Sequence, residues 1–403
     1  MPRILLSHVT GNVNSRQAAW SLAEHGWLEA FHTTLAWKPP PTLEKMLPRG
    51  LRETLSKRRL PPMVAGRVCS HPLWEVLRLM CRTLGKGNWL GMDQVAERFD
   101  QAVAEDLSRR SGVTAVYAYM DTARITFEAA RARGVKTIYE LPTPYWRATR
   151  EIIEREKWRY PDWAVTLPEM NPDSPKMRSR DAELALADVV IVPSAFVRDS
   201  LALAPQPPRD IRVVPYGCPE PDVAAAHRHD ATKPLKLLYV GTLGQGKGLA
   251  DLDASLRLLK FPVDLTLIGS PQDGTYCAAL NSMLSRHRWL SGLSREQVMA
   301  EMRKHDLLVL PTHYEGMALV IGEALSCGLP VITTTKAGAE PLIESQNSGF
   351  ILPEGDIKAL ASQIGVLHNQ RDMIASSSRS ALVTAKENSW GLYRNQFSRI
   401  ISI

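Results

Sequence analysis

The chain has 403 residues, 44% of them hydrophobic and 23% charged, an ordinary globular composition with room for two hydrophobic cores of about 200 residues each. Its 49 basic residues exceed its 42 acidic ones by seven, and five cysteines at 69, 81, 218, 277 and 327 form no Cys-x-x-Cys pair, which argues against a disulfide framework and for a reducing, cytoplasmic compartment. No apolar run reaches the ~18 residues of a membrane span, and Arg3-Ile-Leu-Leu-Ser-His-Val9 reads as a first strand rather than a targeting signal, so a soluble or peripheral protein is expected.

After that strand, with His8 as a satisfied strand-end histidine, Thr10-Gly-Asn-Val-Asn-Ser15 turns into a helix. The cap is expected near Asn14, with Gln17 three residues on, and the stop at Gly26. Residues 38–86 then carry eleven basic residues against three acidic ones, a local balance of +8 that exceeds the whole chain's +7. Interleaved Trp37, Leu51, Leu55, Trp74, Leu77 and Trp89 make the stretch a basic, partly amphipathic excursion suited to anionic lipid headgroups. Nucleic acid is the competing polyanion and is not expected as a partner. A solvated insertion whose apolar residues are core is the bland alternative.

Buried strands are expected at 114–119, 136–140, 188–193, 211–216, 235–240, 263–269, 306–311, 330–334 and 349–352, with helices between most of them. The alternation predicts parallel, doubly wound sheets. A proline- and charge-rich connector at 215–234 interrupts it, and the strand, loop and helix pattern then restarts. Loops after parallel strands line the crevice of such folds, which makes Gly11, Asn12, Asp121 and Glu140 candidates for contacting a sugar or an acceptor. For Asp121 and Glu140, helix capping or a salt bridge is the alternative.

Two constellations carry chemistry. Leu235-Lys-Leu-Leu-Tyr-Val240 runs into Gly241-Thr-Leu-Gly-Gln-Gly-Lys-Gly248, a glycine-rich turn holding one Lys, which describes an anion cradle. It approaches the P-loop pattern but has Gly248 where a Mg²⁺-holding Ser or Thr is needed. Further on, Glu315-Gly-Met-Ala-Leu-Val-Ile-Gly-Glu323 sets two carboxylates eight residues apart across a loop-to-helix junction. The amides of Gly316, Met317, Ala318 and Leu319 would hold a phosphate at the positive end of that helix. Two Glu on an ordinary solvated helix are the alternative.

In their order, these motifs resemble glycosyltransferase family 4, the retaining enzymes of GT-B fold. The resemblance is strong over about residues 185–356 and weak over the first 180. It implies two Rossmann-like domains, an acceptor-binding one at 1–215 and a donor-binding one at 216–388, with a helix at 389–403 crossing back to the first. It implies a nucleoside diphosphate sugar as co-substrate, a glycan or lipid-linked glycan as acceptor, and no cofactor or metal. On this reading Glu315 contacts the transferred sugar, Glu323 the ribose and Lys247 the diphosphate. Gly241, Thr242, Gln245, Gly269 and Leu290 complete the donor site. Many members place an Arg in the glycine-rich loop; this chain has Thr242, Gln245 and Gly246 at the candidate positions, so His287 or Arg288 is considered as the replacement cation. Many also carry a His near the position of Glu140, which is kept here as a catalytic candidate. The expected setting is the cytoplasm, at the inner face of the plasma membrane. The alternatives are a non-catalytic GT-B scaffold of a polysaccharide assembly complex and a phosphorylase-like sugar-phosphate enzyme.

Overall fold

A computed structural model describes residues 1–37, 58–83, 90–222, 233–272 and 276–401; residues 38–57 and 84–86 of the basic excursion lie outside them. The first half runs β1 (Ile4–Ser7), α1 (Val13–Glu24), β2 (Leu28–Thr33), α2 (Pro62–Ala65), β3 (Val68–Ser70), α3 (Pro72–Thr83), α4 (Met92–Arg109), β4 (Ala115–Tyr119), α5 (Arg124–Ala132), β5 (Lys136–Glu140), α6 (Trp146–Arg159), α7 (Pro175–Ala185), β6 (Val189–Val192), α8 (Ala195–Ser200) and β7 (Ile211–Val213). The second runs β8 (Leu235–Val240), α9 (Leu249–Arg257), β9 (Val263–Ile268), α10 (Ala278–Arg286), β10 (Arg288–Leu290), α11 (Arg295–Met302), β11 (Leu307–Leu310), α12 (Leu319–Ser326), β12 (Val331–Thr334), α13 (Glu340–Glu344), β13 (Gly349–Leu352), α14 (Ile357–Asn369), α15 (Arg371–Glu387) and α16 (Trp390–Ile401).

Among the described residues every strand pairing is parallel. The first sheet is ordered β3-β2-β1-β4-β5-β6-β7 and the second β10-β9-β8-β11-β12-β13. Both therefore wind outward from a central pair, β1/β4 and β8/β11, where the strand order reverses. This is the two-domain GT-B architecture. The strands read as continuous apolar runs because both faces are covered. In β1, Ile4 and Leu6 enter a core that continues through α16 into the second sheet, whereas Leu5 between them enters a separate core under α4, α5 and α7.

Several boundaries move. The cap of α1 is Asn12, whose side chain accepts from the Ser15 amide at 2.9 Å; Asn14 and Gln17 are left for tertiary contacts. β2, β3 and β10 were not expected from the sequence. β2 (Leu-Glu-Ala-Phe-His-Thr) carries two polar residues that its neighbours bury, and β3 and β10 are only three residues long.

The crossing segments between the halves lie side by side: the Cys218 amide donates to Asn388 O at 2.7 Å and the Trp390 amide to Cys218 O at 3.1 Å. Gly217 fits only because a Cβ there would stand 2.6 Å from the Trp390 Cα. Beyond them α16 packs on α1 of the first half. Ser21 Oγ donates to Arg394 O at 2.7 Å, Arg394 donates to Gln17 Oε1 at 2.7 Å and stacks over Trp20, and Phe397 lies 5.6 Å from Tyr117 by ring centroids.

Candidate functional site

The two reversal points face each other across a cleft of about 590 Å³. In α/β sheets such points leave a crevice beyond the strand ends. From the first half come Asn12 and Asn14 after β1, Pro142 after β5, and Tyr216; from the second come Gly241, Thr242 and Lys247 after β8, Glu315, Met317, Ala318 and Leu319 after β11, and Leu293, Arg295 and Glu323. A second hollow shares Val240, Gly241 and Thr242 with it and extends it past Gly269, Ser270 and Gly292.

The glycine-rich loop has its shape because side chains are excluded from it. At Gly248 φ is +74°, and a Cβ would lie 2.0 Å from Pro311 O at the end of β11. The Ser or Thr of a P-loop therefore has no room here. The turn delivers Lys247 to Glu315: the ammonium pairs with the carboxylate, reaches Tyr314 O at 3.4 Å and sits over the Tyr314 ring. On the far side of the cleft Arg295 Nε holds Glu323 Oε1 at 2.6 Å. Two carboxylates and two cations thus neutralise each other pairwise in a hollow bounded by the open end of α12. The cap residue of that helix, Ala318, provides no side-chain hydrogen bond, so the leading amides of Leu319 and Val320 keep the positive end of the helix unshielded.

Not every expected site residue arrives. Gln245 is fully buried and points away from the cleft: its amide nitrogen donates to Glu156 Oε2 at 2.9 Å and Asp251 Oδ2 at 3.0 Å, beside His313. It anchors the loop from behind. The Ala318 amide is committed to Ala337 O at 3.0 Å, which removes it from the phosphate donors. Gly316 is a contact point between the halves, because a Cβ there would lie 1.7 Å from Pro142 O, and its own carbonyl accepts from Ser194 Oγ at 2.6 Å. Leu290 lends its carbonyl to the Gly269 amide at 3.0 Å and does not line the hollow. His287 and Arg288 border a different cavity at the start of β10, where Arg288 is paired with Glu301 at 2.8 Å. They cannot reach the phosphate position.

Asp121 and Gly11 also lie outside the cleft. Asp121, at φ +72°, is held by Arg180 at 2.6 and 2.9 Å and borders a separate cavity of about 360 Å³ between α4, α5 and α7. At Gly11 an added Cβ would meet Thr33 Oγ1 at 3.3 Å and the Phe31 ring at 3.8 Å. Glu140 is 1% exposed, accepting from Tyr117 Oη at 2.5 Å, Tyr216 Oη at 2.7 Å and Asn14 Nδ2 at 3.3 Å. Burial raises its pKa while those donors oppose the rise. It does not touch the open cleft; it fixes Asn14 and Tyr216, which do. His8 is what its position suggested: Nδ1 accepts from the Thr10 and Gly11 amides at 3.0 and 2.9 Å, and burial, followed by Arg58 and Arg16, pushes its pKa down to about 3.

Sequence reading missed two cations. Arg295 opens α11, and its only local signal is Ser294, the capping residue before it. Arg16 projects from α1, and its pKa is lowered by burial, then by repulsion from Arg58 and Arg295. Arg16 and Arg295 come from opposite halves, so only the assembled structure shows that they share one field.

Residues 225–382 match the family model described as Glycosyl transferases group 1. Glycogen synthase of Mycobacterium tuberculosis (strain ATCC 25618 / H37Rv) is 29% identical over 185 residues, 44% of this chain and 45% of that protein. The GDP-mannose-dependent alpha-(1-6)-phosphatidylinositol monomannoside mannosyltransferase of Mycolicibacterium smegmatis is 25% identical over 228 residues, 51% of this chain and 58% of that one. The chain spans about half the length of the curated relatives it matches. Among solved structures, Anabaena Alr3699/HepE in complex with UDP and glucose superposes with a TM-score of 0.64 at 15% identity, covering 100% of both chains. Sucrose-phosphate synthase from Thermosynechococcus elongatus does so at 0.64 and 17%, covering 99% of this chain and 98% of that one. With glycine-rich loop, paired carboxylates and twin sheets in place, residues 225–382 are a glycosyl transferases group 1 domain in a chain of GT-B fold.

Proposed function

We propose that this chain is a retaining glycosyltransferase that moves a hexose-type sugar from a nucleoside diphosphate donor, UDP- or GDP-linked, to a polysaccharide or lipid-linked acceptor, with no metal in the transfer step. The observation that carries the reading is the meeting of Lys247 and Glu315 at the open end of α12, with Glu323 and Arg295 facing them. A diphosphate brings negative charge for Lys247, Arg295 and the helix end; a sugar and a ribose bring hydroxyls for the two carboxylates. Donor binding exchanges each internal ion pair for contacts with the ligand. Solved Alr3699/HepE was captured with UDP and glucose, and the mycobacterial mannosyltransferase is GDP-mannose-dependent by name, which supports this donor class.

In the transfer the bond between the sugar's anomeric carbon and the diphosphate oxygen breaks, the acceptor oxygen bonds to the same face, and the acceptor proton passes to the departing diphosphate. Lys247 and the α12 end stabilise the growing diphosphate charge, which is the kind of preorganised electrostatics that dominates such catalysis. Glu315 orients the sugar, and Glu140 positions Asn14 and Tyr216 on the acceptor side. Glu315→Gln should fold normally and turn over the best donor at least ~10²-fold more slowly, in the presence or absence of EDTA. Wild-type turnover by the variant, or loss of wild-type turnover with chelator and its return with Mn²⁺ or Mg²⁺, would sink the assignment. Tight UDP or GDP binding with no turnover on any acceptor would point to the scaffold instead.

The acceptor side includes a second element of the proposal. Helix α3 leaves Leu73, Val76 and Met80 exposed on one side, with Trp74 beside them, in a stretch of sequence rich in Lys and Arg. We assign this face to the inner leaflet of the plasma membrane, where a lipid-linked acceptor is presented. Among the described residues no helix is long and apolar enough to cross a membrane.

A further inference from the structure

Away from the cleft, His32 on β2, Cys69 on β3 and Asp106 on α4 bring one nitrogen, one sulfur and one carboxylate oxygen within 4.8 Å of one another. β2 and β3 pair His32 with Cys69 in parallel register, so the two side chains leave the sheet on the same face. His32 is fully buried. Its Nε2 stands 3.1 Å from Asp106 Oδ2, yet no hydrogen bond satisfies that nitrogen. Two bonds of about 2.0 Å to one tetrahedral ion set their ligand atoms roughly 3.3 Å apart. The observed spacing is that of two ligands converging on a shared point.

The other ring nitrogen supports the same geometry. His32 Nδ1 lies 2.9 Å from His71 Nε2, with the rings stacked at 12°. With His32 Nδ1 as the donor of this hydrogen bond and His71 Nε2 as the acceptor, Nε2 of His32 is left free to ligate. Cationic competition is already present, because the Arg110 guanidinium donates to Asp106, to Cys69 Sγ at 3.4 Å and to Glu29 at 3.3 Å. The place therefore accommodates positive charge, and an incoming ion would take Asp106 and Cys69 while Arg110 stays on Glu29.

We propose that His32 Nε2, Cys69 Sγ and the Asp106 carboxylate form a binding site for a zinc-class divalent cation, with water as the fourth ligand. Nitrogen, thiolate and a single carboxylate favour zinc over the all-oxygen ions magnesium and calcium. Loading deprotonates Cys69 and releases that proton to solvent. None of the three residues lines the donor cleft, so the ion ties the edge strand β3 to β2 and α4 and takes no part in sugar transfer.

The test uses the full chain, free of any affinity tag and stripped with chelator, titrated with Co²⁺ and then with Zn²⁺. One equivalent of Co²⁺ should bind with a thiolate charge-transfer band and tetrahedral d–d absorption. Zn²⁺ should displace it and raise the midpoint of thermal unfolding. Cys69→Ser should abolish the band, Cys81→Ser should keep it, and His71→Ala should weaken affinity roughly 10- to 100-fold as the loss of an outer partner. Absence of the thiolate band in the unmodified chain overturns the proposal irrespective of how the variants fold, as does a band that survives Cys69→Ser.

Discussion

Lys247 and Glu315 form an ion pair whose members stand 22% and 26% exposed. Both side chains are screened by solvent on one side, so the pair itself contributes little to stability and is easily exchanged for a ligand. Lys247→Ala should therefore leave unfolding nearly unchanged while weakening UDP or GDP binding by about 1.5 to 3 kcal/mol, the contribution of a charge-assisted hydrogen bond; calorimetry reads the difference directly. His8 behaves in the opposite way, affecting stability and not binding. Its folded pKa of about 3 lies below the ordinary 6.5, so the unfolded chain takes up a proton first as pH falls. The stability that neutral His8 contributes is complete above pH 6.5 and is lost as pH drops toward 3. Between pH 5.5 and 4 the native chain should lose about 1.4 kcal/mol per pH unit that His8→Asn does not lose, measured by urea unfolding at each pH. Equal slopes would mean that His8 is already charged in the folded chain.

At the scale of elements, a surface helix normally turns its apolar side inward, and α3 does not do so throughout. Leu73 is 63% exposed and Met80 54%, whereas the basic residues near it are partly engaged: Arg58 donates to Glu75 at 3.0 Å and to Thr10 O at 2.9 Å, and Arg78 holds the same carboxylate. Charge reversal at Arg58 would therefore disturb the fold as well as any lipid contact. The cleaner experiment replaces Leu73 and Met80 by Glu. Co-sedimentation with phosphatidylglycerol liposomes should fall for that double variant and fall for the native chain as NaCl rises, because the attraction is screened over ~8 to 10 Å at moderate salt. Nucleotide affinity should be unchanged. Equal sedimentation of variant and native chain would remove α3 from the lipid contact.

For the whole molecule, the two halves are coupled by short-range contacts rather than by one shared sheet. Behind the glycine-rich loop, Arg159 and Glu156 from α6 meet Asp251, Gln245 and His313 from the second half, with Arg159 donating to Glu156 at 2.9 Å and to Asp251 at 3.1 Å. At the opposite end α16 closes on α1. Phe397 is fully buried against Tyr117 and Tyr393, and Phe397→Ala should cost about 3 to 5 kcal/mol in chemical denaturation, the usual loss for a buried aromatic truncated to a cavity. A loss below about 1 kcal/mol would mean that α16 is not seated on the first half in solution.

What the sequence determined by itself was local. Val331-Ile-Thr-Thr334 and Leu235-Lys-Leu-Leu-Tyr-Val240 are strands because β-branched and apolar runs with glycine or proline at their ends allow little else, and their alternation with helices already implied two parallel sheets. The loop at 241–248 and the pair Glu315 and Glu323 were legible for the same reason, since close backbone approach and an open helix end require particular residues at short spacing. Tertiary structure decided which polar residues face the cleft. Gln245 and Lys247 stand two positions apart in one turn, yet one enters a buried network shared with the other half and the other enters the cleft. Glu140 and Asp121 follow strand ends alike, yet three buried donors claim the first and Arg180 the second. Arg295 and Arg16 lie 279 positions apart and share a field only because the halves meet. Burial and partner choice are properties of the packed chain, and no spacing within one segment encodes them.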